Sequence, residues 1–144
     1  MKYDLFPRHV LHELGIGKSY NGYDYILYGL SLVEEDEFRL TNITKILYID
    51  IAQYFQTSPV CVERNIRKVI EVIWKHATEH KHLIIKIFGS RYEMTKPTNK
   101  EFLELLYEYM TFHDIFEELI IQCPFSQKNC DVYRSIIENL SRLK

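Results

Sequence analysis

Glycine and proline are scarce in this chain, with five and four among 144 residues. Because these residues interrupt regular structure, their scarcity permits long helices. No apolar run approaches the roughly 18–20 residues of a membrane-spanning helix, so we expect no membrane segment. Only three cysteines are present, and an odd number favours a reducing compartment over a disulfide scaffold. Since the N-terminus also shows no signal-peptide pattern, we expect a cytoplasmic location.

The charge of the chain is unevenly distributed. A hydrophobic content of 47% is enough for a packed core, and the net charge is only −2. Residues 1–40 hold four Lys/Arg and seven Asp/Glu, a local charge of −3, whereas residues 64–100 hold nine and three, a local charge of +6. Residues 101–110 return to −3. A basic segment between acidic flanks is typical of a surface that binds a polyanion.

Apolar residues recur at spacings of three and four along most of the chain, and no segment alternates as a strand would. We therefore predict an all-α fold, with a six-helix domain at residues 1–110 and a helical extension at 111–144. The predicted helices of the domain span residues 5–14, 21–33, 42–55, 59–76, 79–88 and 98–110. In the extension, helical patterns at 112–121 and 131–143 are joined by a linker at 123–129.

Several helix ends carry recognisable signals. Ser58 followed by Pro59 is a typical start, with serine as N-cap and proline at the first helical position. Thr98 and Glu101 are spaced as a capping box, and Thr41 or Asn42 supplies a cap for the third helix. Gly89 is expected to end the fifth helix.

The fourth predicted helix has two distinct faces when its residues are placed at 100° steps. The inward face is apolar and consists of Val62, Ile66, Val69, Ile70, Ile73 and Ala77. The outward face is mostly charged and consists of Val60, Glu63, Arg64, Arg67, Lys68, Glu71 and Lys75. A short turn at residues 56–58 separates it from the preceding helix, where the small Ala52 permits close approach. This spacing predicts a helix-turn-helix with a recognition helix at about 59–76.

The outward side chains suit contact with a DNA duplex. Arg64 and Arg67 can each donate two hydrogen bonds to one guanine, to its O6 and N7 atoms. Glu63 can accept a hydrogen bond from a cytosine amino group. Lys68 and Lys75 suit phosphates, which position a protein without specifying sequence. We add Lys45 and Lys96 as candidate DNA contacts. The alternative is an ordinary solvated helix face, since many amphipathic helices carry such charges.

Segments throughout residues 5–110 resemble the C-terminal effector domain of stage-zero sporulation protein A, the master response regulator of sporulation. The resemblance is carried by LHELGI at 11–16, GY at 22–23, ITKILY at 43–48, DIA at 50–52, VER at 62–64, IR at 66–67, IEV at 70–72, Trp74, FG at 88–89, KPTN at 96–99 and EF at 101–102. The segments occur in the same order and without large gaps, and it is their combination that is specific.

This resemblance implies a six-helix domain that binds a short box with a TGTCGAA-like core and activates or represses transcription. It assigns base contacts to Glu63, Arg64 and Arg67, and it places Lys68 where the family often has histidine. Two features depart from the family. Val60-Cys61 stands where Ser-Arg is usual, so the preferred box is expected to differ, and the 144 residues include no receiver domain, so we expect no phosphorelay control.

We therefore predict a transcriptional regulator that binds double-stranded DNA. The alternative is a protein-interaction module, or an antagonist, that acts on RNA polymerase or another regulator. Residues 111–144 are expected either to pack on the domain or to form a homodimer interface. No catalytic arrangement stands out, so we expect neither an enzyme nor a cofactor. His76 and His80 are four residues apart but lack the His-Glu-x-x-His pattern, so we expect no metal.

Overall fold

The computed structural model describes residues 5–122 and Asn139, with side chains for residues 5–113 and Asn139. This described part is all-α, as predicted, and contains six α-helices and no strand. The helices are α1 Leu5–Glu13, α2 Asn21–Glu35, α3 Tyr48–Phe55, α4 Pro59–Lys75, α5 Lys81–Phe88 and α6 Asn99–Gln122. A 3₁₀ segment, Glu37–Asn42, and a π-helical turn, Ile43–Leu47, connect α2 to α3. A second 3₁₀ turn, Ser90–Tyr92, follows α5.

The predicted third helix is shorter than expected, because its first half winds as the π-helical turn. Asn42 does cap this turn, since its side chain accepts a hydrogen bond from the Lys45 amide at 3.3 Å. The fifth helix begins at Lys81 rather than residue 79, and it ends before Gly89 as predicted.

The sixth helix is longer than we predicted. We predicted a break after Met110 and a new helix at 112–121, but α6 continues from Asn99 to Gln122. No Gly or Pro interrupts this stretch, and Thr111 bonds back to the Tyr107 carbonyl at 3.0 Å instead of capping a new helix. The predicted linker at 123–129 and the second pattern of the extension lie outside the described residues, apart from Asn139.

The core forms where the apolar faces of the helices meet. The α4 face is buried as the helical wheel predicted, through Val62, Ile66, Val69, Ile70 and Ile73. The α6 contribution consists of Phe102, Leu103, Leu106 and Met110. Burial of each such large side chain stabilises the fold by about 1.5–3 kcal/mol relative to exposure. Within the described residues, no helix combines the length and the apolar character needed to cross a bilayer.

The packing of α2 on α4 depends on Gly22. A Cβ atom at this position would lie 2.4 Å from the Asn65 carbonyl oxygen and 2.6 Å from a Val69 methyl group. The first of these is a backbone atom of α4, which cannot move aside as a flexible side chain would. Gly22 therefore sets the distance between the two helices and with it the position of α4.

We expect Gly22→Ala to lower the free energy of unfolding by about 1–3 kcal/mol, because the new methyl group must push α2 away from α4. Gly17→Ala is the matched control, since its added Cβ would meet only a His12 ring atom at 3.8 Å. Urea unfolding followed by circular dichroism measures both variants. Equal stability of the two variants would contradict the proposed close approach.

Candidate nucleic-acid interface

The turn before α4 fixes the start of this helix. Gln56 adopts a left-handed conformation with φ of 55°, and the Thr57 amide donates to the Ala52 carbonyl at 2.9 Å. Ser58 is the N-cap, as predicted, and its hydroxyl accepts from the Cys61 amide at 3.1 Å. Pro59 occupies the first helical position. The helices α3 and α4 are thus joined by only three residues, and Ala52 is buried at their junction.

The charged face of α4 is open to solvent. Arg64, Arg67, Lys68 and Lys75 are exposed, and Glu63 is half-buried. The structure therefore brings five of the seven predicted contact residues together on one helix face. The helix α4 has 17 residues and is therefore about 25 Å long.

The cations on α4 differ in their partners. Arg67 donates through Nη1 to Glu63 Oε1 at 2.9 Å, an ion pair between residues four apart. Arg64, Lys68 and Lys75 have no ion-pair partner among the described residues. Arg64 and Lys68 are also four residues apart, so their like charges destabilise the free helix by about 0.2–0.5 kcal/mol. A bound polyanion would remove this repulsion.

A groove of about 810 Å³ runs beside the first half of α4, and we call it the α4 groove. Glu63 and Arg67 form part of one wall, and residues 96–100 form the opposite wall. Lys96, the sixth predicted residue, therefore lies next to α4, where its Nζ is 3.5 Å from Glu71 Oε1. Lys45, the seventh, is exposed in the π-helical turn, whose first two residues, Ile43 and Thr44, line the groove.

Asn99 connects the two walls of the groove. Its Nδ2 donates to the Glu63 carbonyl at 3.0 Å and to the Tyr48 hydroxyl at 3.0 Å. Burial raises the pKa of Tyr48, so this hydroxyl stays neutral and accepts the bond. The sequence pointed to Asn99 only through the family resemblance, because a hydrogen bond across 36 residues leaves no periodic signal in the sequence. Its position at the start of α6 ties that helix to α4.

Residues 92–98 are held in place from both ends. The Trp74 indole donates to the Tyr92 carbonyl at 2.8 Å, so α4 anchors the start of this loop. The end is fixed by the predicted capping box, in which the Thr98 amide donates to Glu101 Oε1 at 3.0 Å and the Glu101 amide donates to Thr98 Oγ1 at 3.2 Å. The Tyr92 hydroxyl also donates to Glu101.

The bond between Tyr92 and Glu101 shifts the pKa of both groups. It lowers the pKa of Glu101 below its ordinary value of 4.5, together with the hydrogen bond from Thr98. The same bond, with burial second, raises the pKa of Tyr92 above 10.0. Because the folded pKa of Glu101 is depressed, its stabilisation is present above about pH 4.5 and is lost as the pH falls through the folded pKa.

We expect Tyr92→Phe to lower the free energy of unfolding by about 1 kcal/mol at pH 7, since it removes one hydrogen bond to a carboxylate. The difference from the wild type should shrink as the pH falls below 4.5 and through the lowered folded pKa of Glu101, where protonation removes the carboxylate that accepts this bond. Tyr109→Phe is the control, because no described hydrogen bond involves its hydroxyl. Urea unfolding at pH 7 and pH 3 tests this, and a difference that is the same at both pH values would refute it.

The residues considered for metal binding do not form a cluster. His76 follows the last residue of α4 and lies 3.5 Å from Glu79. In the part of the chain that the structure describes, no group of three His, Cys, Asp or Glu side chains converges as a metal site would require. Cys61 is half-buried, with its Sγ 3.3 Å from Asn65 Nδ2.

Comparison with protein families gives a match that spans most of the domain. The family model described as "Sporulation initiation factor Spo0A C terminal" matches residues 8–110. These residues include all of α2 to α5, the α4 groove and every candidate contact named above. The family is one of DNA-binding effector domains and not of enzymes. The chain therefore belongs to the family of Spo0A C-terminal domains, which bind DNA and regulate transcription in sporulation.

Proposed function

We propose that this domain is a sequence-specific regulator that inserts the outer face of α4 into the major groove of double-stranded DNA. The observation that carries the proposal is a group of exposed cations, paired with no described residue, on a helix whose opposite face is buried in the core. The major groove, about 12 Å wide, admits one α-helix. The short turn between α3 and α4 supports a helix-turn-helix arrangement, in which the second helix contacts the bases.

Arg64 is the strongest candidate for a base contact. It lies near the N-terminus of α4, which is the part of a recognition helix that reaches base edges. Since no described residue engages its guanidinium, all of its donors are available for guanine. Arg67 is the second candidate, and its bond to Glu63 orients the guanidinium while Nε and Nη2 remain outside that bond.

Val60 and Cys61 affect the preferred sequence. Val60 is 61% exposed one turn before Arg64, so it offers an apolar contact to a thymine methyl group. Cys61 is directed toward Asn65 and takes the place of an arginine that the family usually has here. We infer that the domain selects a box that differs from the family box at the bases facing these two residues.

Lys68, Lys75, Lys45 and Lys96 are assigned to phosphates. The first two lie on the exposed face of α4, Lys96 lies 3.5 Å from Glu71 of that helix, and Lys45 is exposed in the π-helical turn. Such contacts supply affinity and register but little sequence preference. The protein-interaction alternative, with RNA polymerase or another regulator as partner, predicts a pull-down partner without duplex affinity.

Selection of bound sequences from a random duplex pool tests the proposal directly, and we expect one enriched box. Arg64→Ala should relax the preference at one position, at a cost of about 1–3 kcal/mol. Lys75→Ala should weaken binding to all duplexes alike and reduce the salt slope by about 1. Gel-shift titration at several salt concentrations separates the two effects.

The matched control is Lys18→Ala, since Lys18 is exposed between α1 and α2 and belongs neither to α4 nor to the lining of the α4 groove. It should leave both the affinity and the preferred box unchanged. If Arg64→Ala binds the selected box as tightly as the wild type, then α4 does not dock as proposed. A pool with no enriched sequence would contradict sequence-specific binding altogether.

A further inference from the structure

The three cations that line the α4 groove are all paired with carboxylates of the chain itself. Arg67 lies 2.9 Å from Glu63, Lys96 lies 3.5 Å from Glu71, and Lys100 lies 3.7 Å from Glu104. The unpaired cations of α4, in contrast, do not line the groove. Among the described residues, the domain thus has two groups of cations: those on the outer face of α4 without an ion-pair partner, and those in the α4 groove that are paired with a carboxylate.

The position of the groove beside α4 suits a DNA backbone strand. The groove has a volume of about 810 Å³ and is lined by residues of α4 and by residues 96–100. With α4 in the major groove, a sugar-phosphate backbone must pass along the side of the helix, because the backbones border that groove. Thr44 and Thr98 add hydroxyl groups to the lining, and hydroxyls are frequent phosphate contacts.

In the ion pairs of Lys96 and Lys100, a phosphate can replace the carboxylate. All four side chains are between 43% and 55% exposed, and both N···O distances are long for an ion pair. Exposed pairs of this kind are weak, so a phosphate that enters the groove would replace the carboxylate at small cost. The Glu63–Arg67 pair is shorter, at 2.9 Å, so in this scheme it is retained.

We propose that one DNA backbone strand occupies the α4 groove and that its phosphates displace Glu71 from Lys96 and Glu104 from Lys100. This inference rests on the proposed function and adds Lys100, Glu71 and Glu104 to the interface. The two glutamates act as internal competitors of phosphate, so they lower the affinity for any duplex. Discrimination then depends more strongly on the base contacts of α4.

Two double-mutant cycles test the exchange, measured by fluorescence anisotropy of a labelled duplex carrying the selected box. Glu71→Gln should tighten binding about two- to five-fold, as expected for loss of one competing ion pair. Lys96→Gln should weaken binding and reduce the salt slope by about 1. In the Lys96→Gln background, Glu71→Gln should give no gain, because the cation it restrains is gone. In the second cycle, Glu104→Gln should tighten binding and Lys100→Gln should weaken it. In the Lys100→Gln background, Glu104→Gln should give no gain.

Glu93→Gln and Lys81→Gln form the control cycle. This pair has a similar exposure and a distance of 3.0 Å, but neither residue lines the α4 groove. Its substitutions should change affinity less than two-fold. Thermal unfolding of each variant verifies that the fold is retained.

The outcomes distinguish this inference from the proposed function. If the wild type binds no duplex, the proposed function fails. If the wild type binds its box but Glu71→Gln tightens binding equally with and without Lys96, then Glu71 acts by general repulsion of DNA, and the exchange is refuted. An unchanged affinity and salt slope in the Lys100→Gln variant would likewise refute the placement of a DNA strand in this groove.

Discussion

The contact between α2 and α4 at Gly22 is the constraint on which the rest of the domain depends. The absence of a side chain there lets α2 lie against the backbone of α4 at Asn65. The apolar side of α4 is then buried by its neighbours, and the charged side faces solvent along the whole helix. Asn99 adds a second restraint from the opposite side, through its bond to the Glu63 carbonyl. A helix held at both of these points presents its outer side chains in a fixed register, which base recognition requires.

The distribution of free and paired cations gives a physical basis for separating affinity from specificity. Free cations on α4 attract any duplex, because phosphate contacts carry no sequence information. In the proposed exchange, Lys96 and Lys100 each give up a carboxylate for a phosphate, so those two contacts add less to nonspecific binding. A chain with a net charge of −2 would therefore bind DNA through one basic surface without a strong affinity for every polyanion.

The region beyond the family match joins the domain through α6. This helix continues past residue 110, where the match ends, and the His113 ring stacks on Phe6 of α1 with centroids 3.8 Å apart. Phe6 precedes the first matched residue, so this contact joins two residues that both lie outside the match. Phe6 also stacks on Tyr109 at 5.9 Å. At His113, α6 therefore contacts the domain, while the two expectations for residues 111–144, packing on the domain and a homodimer interface, both stay predictions.

The sequence by itself determined the helical class, the caps at Ser58 and Thr98, the two faces of α4 and the family resemblance, because each depends on residues close together in the chain. Spacings of three and four fix which face of a helix is apolar, and a cap needs only a neighbour three residues away. The tertiary structure alone decided the π-helical turn, the continuity of α6 and the composition of the α4 groove. Asn99 bonds a carbonyl 36 residues away, and Lys96 meets Glu71 across 25 residues. Such contacts depend on how the helices pack, and the periodicity of one helix carries no information about which residues of another lie beside it.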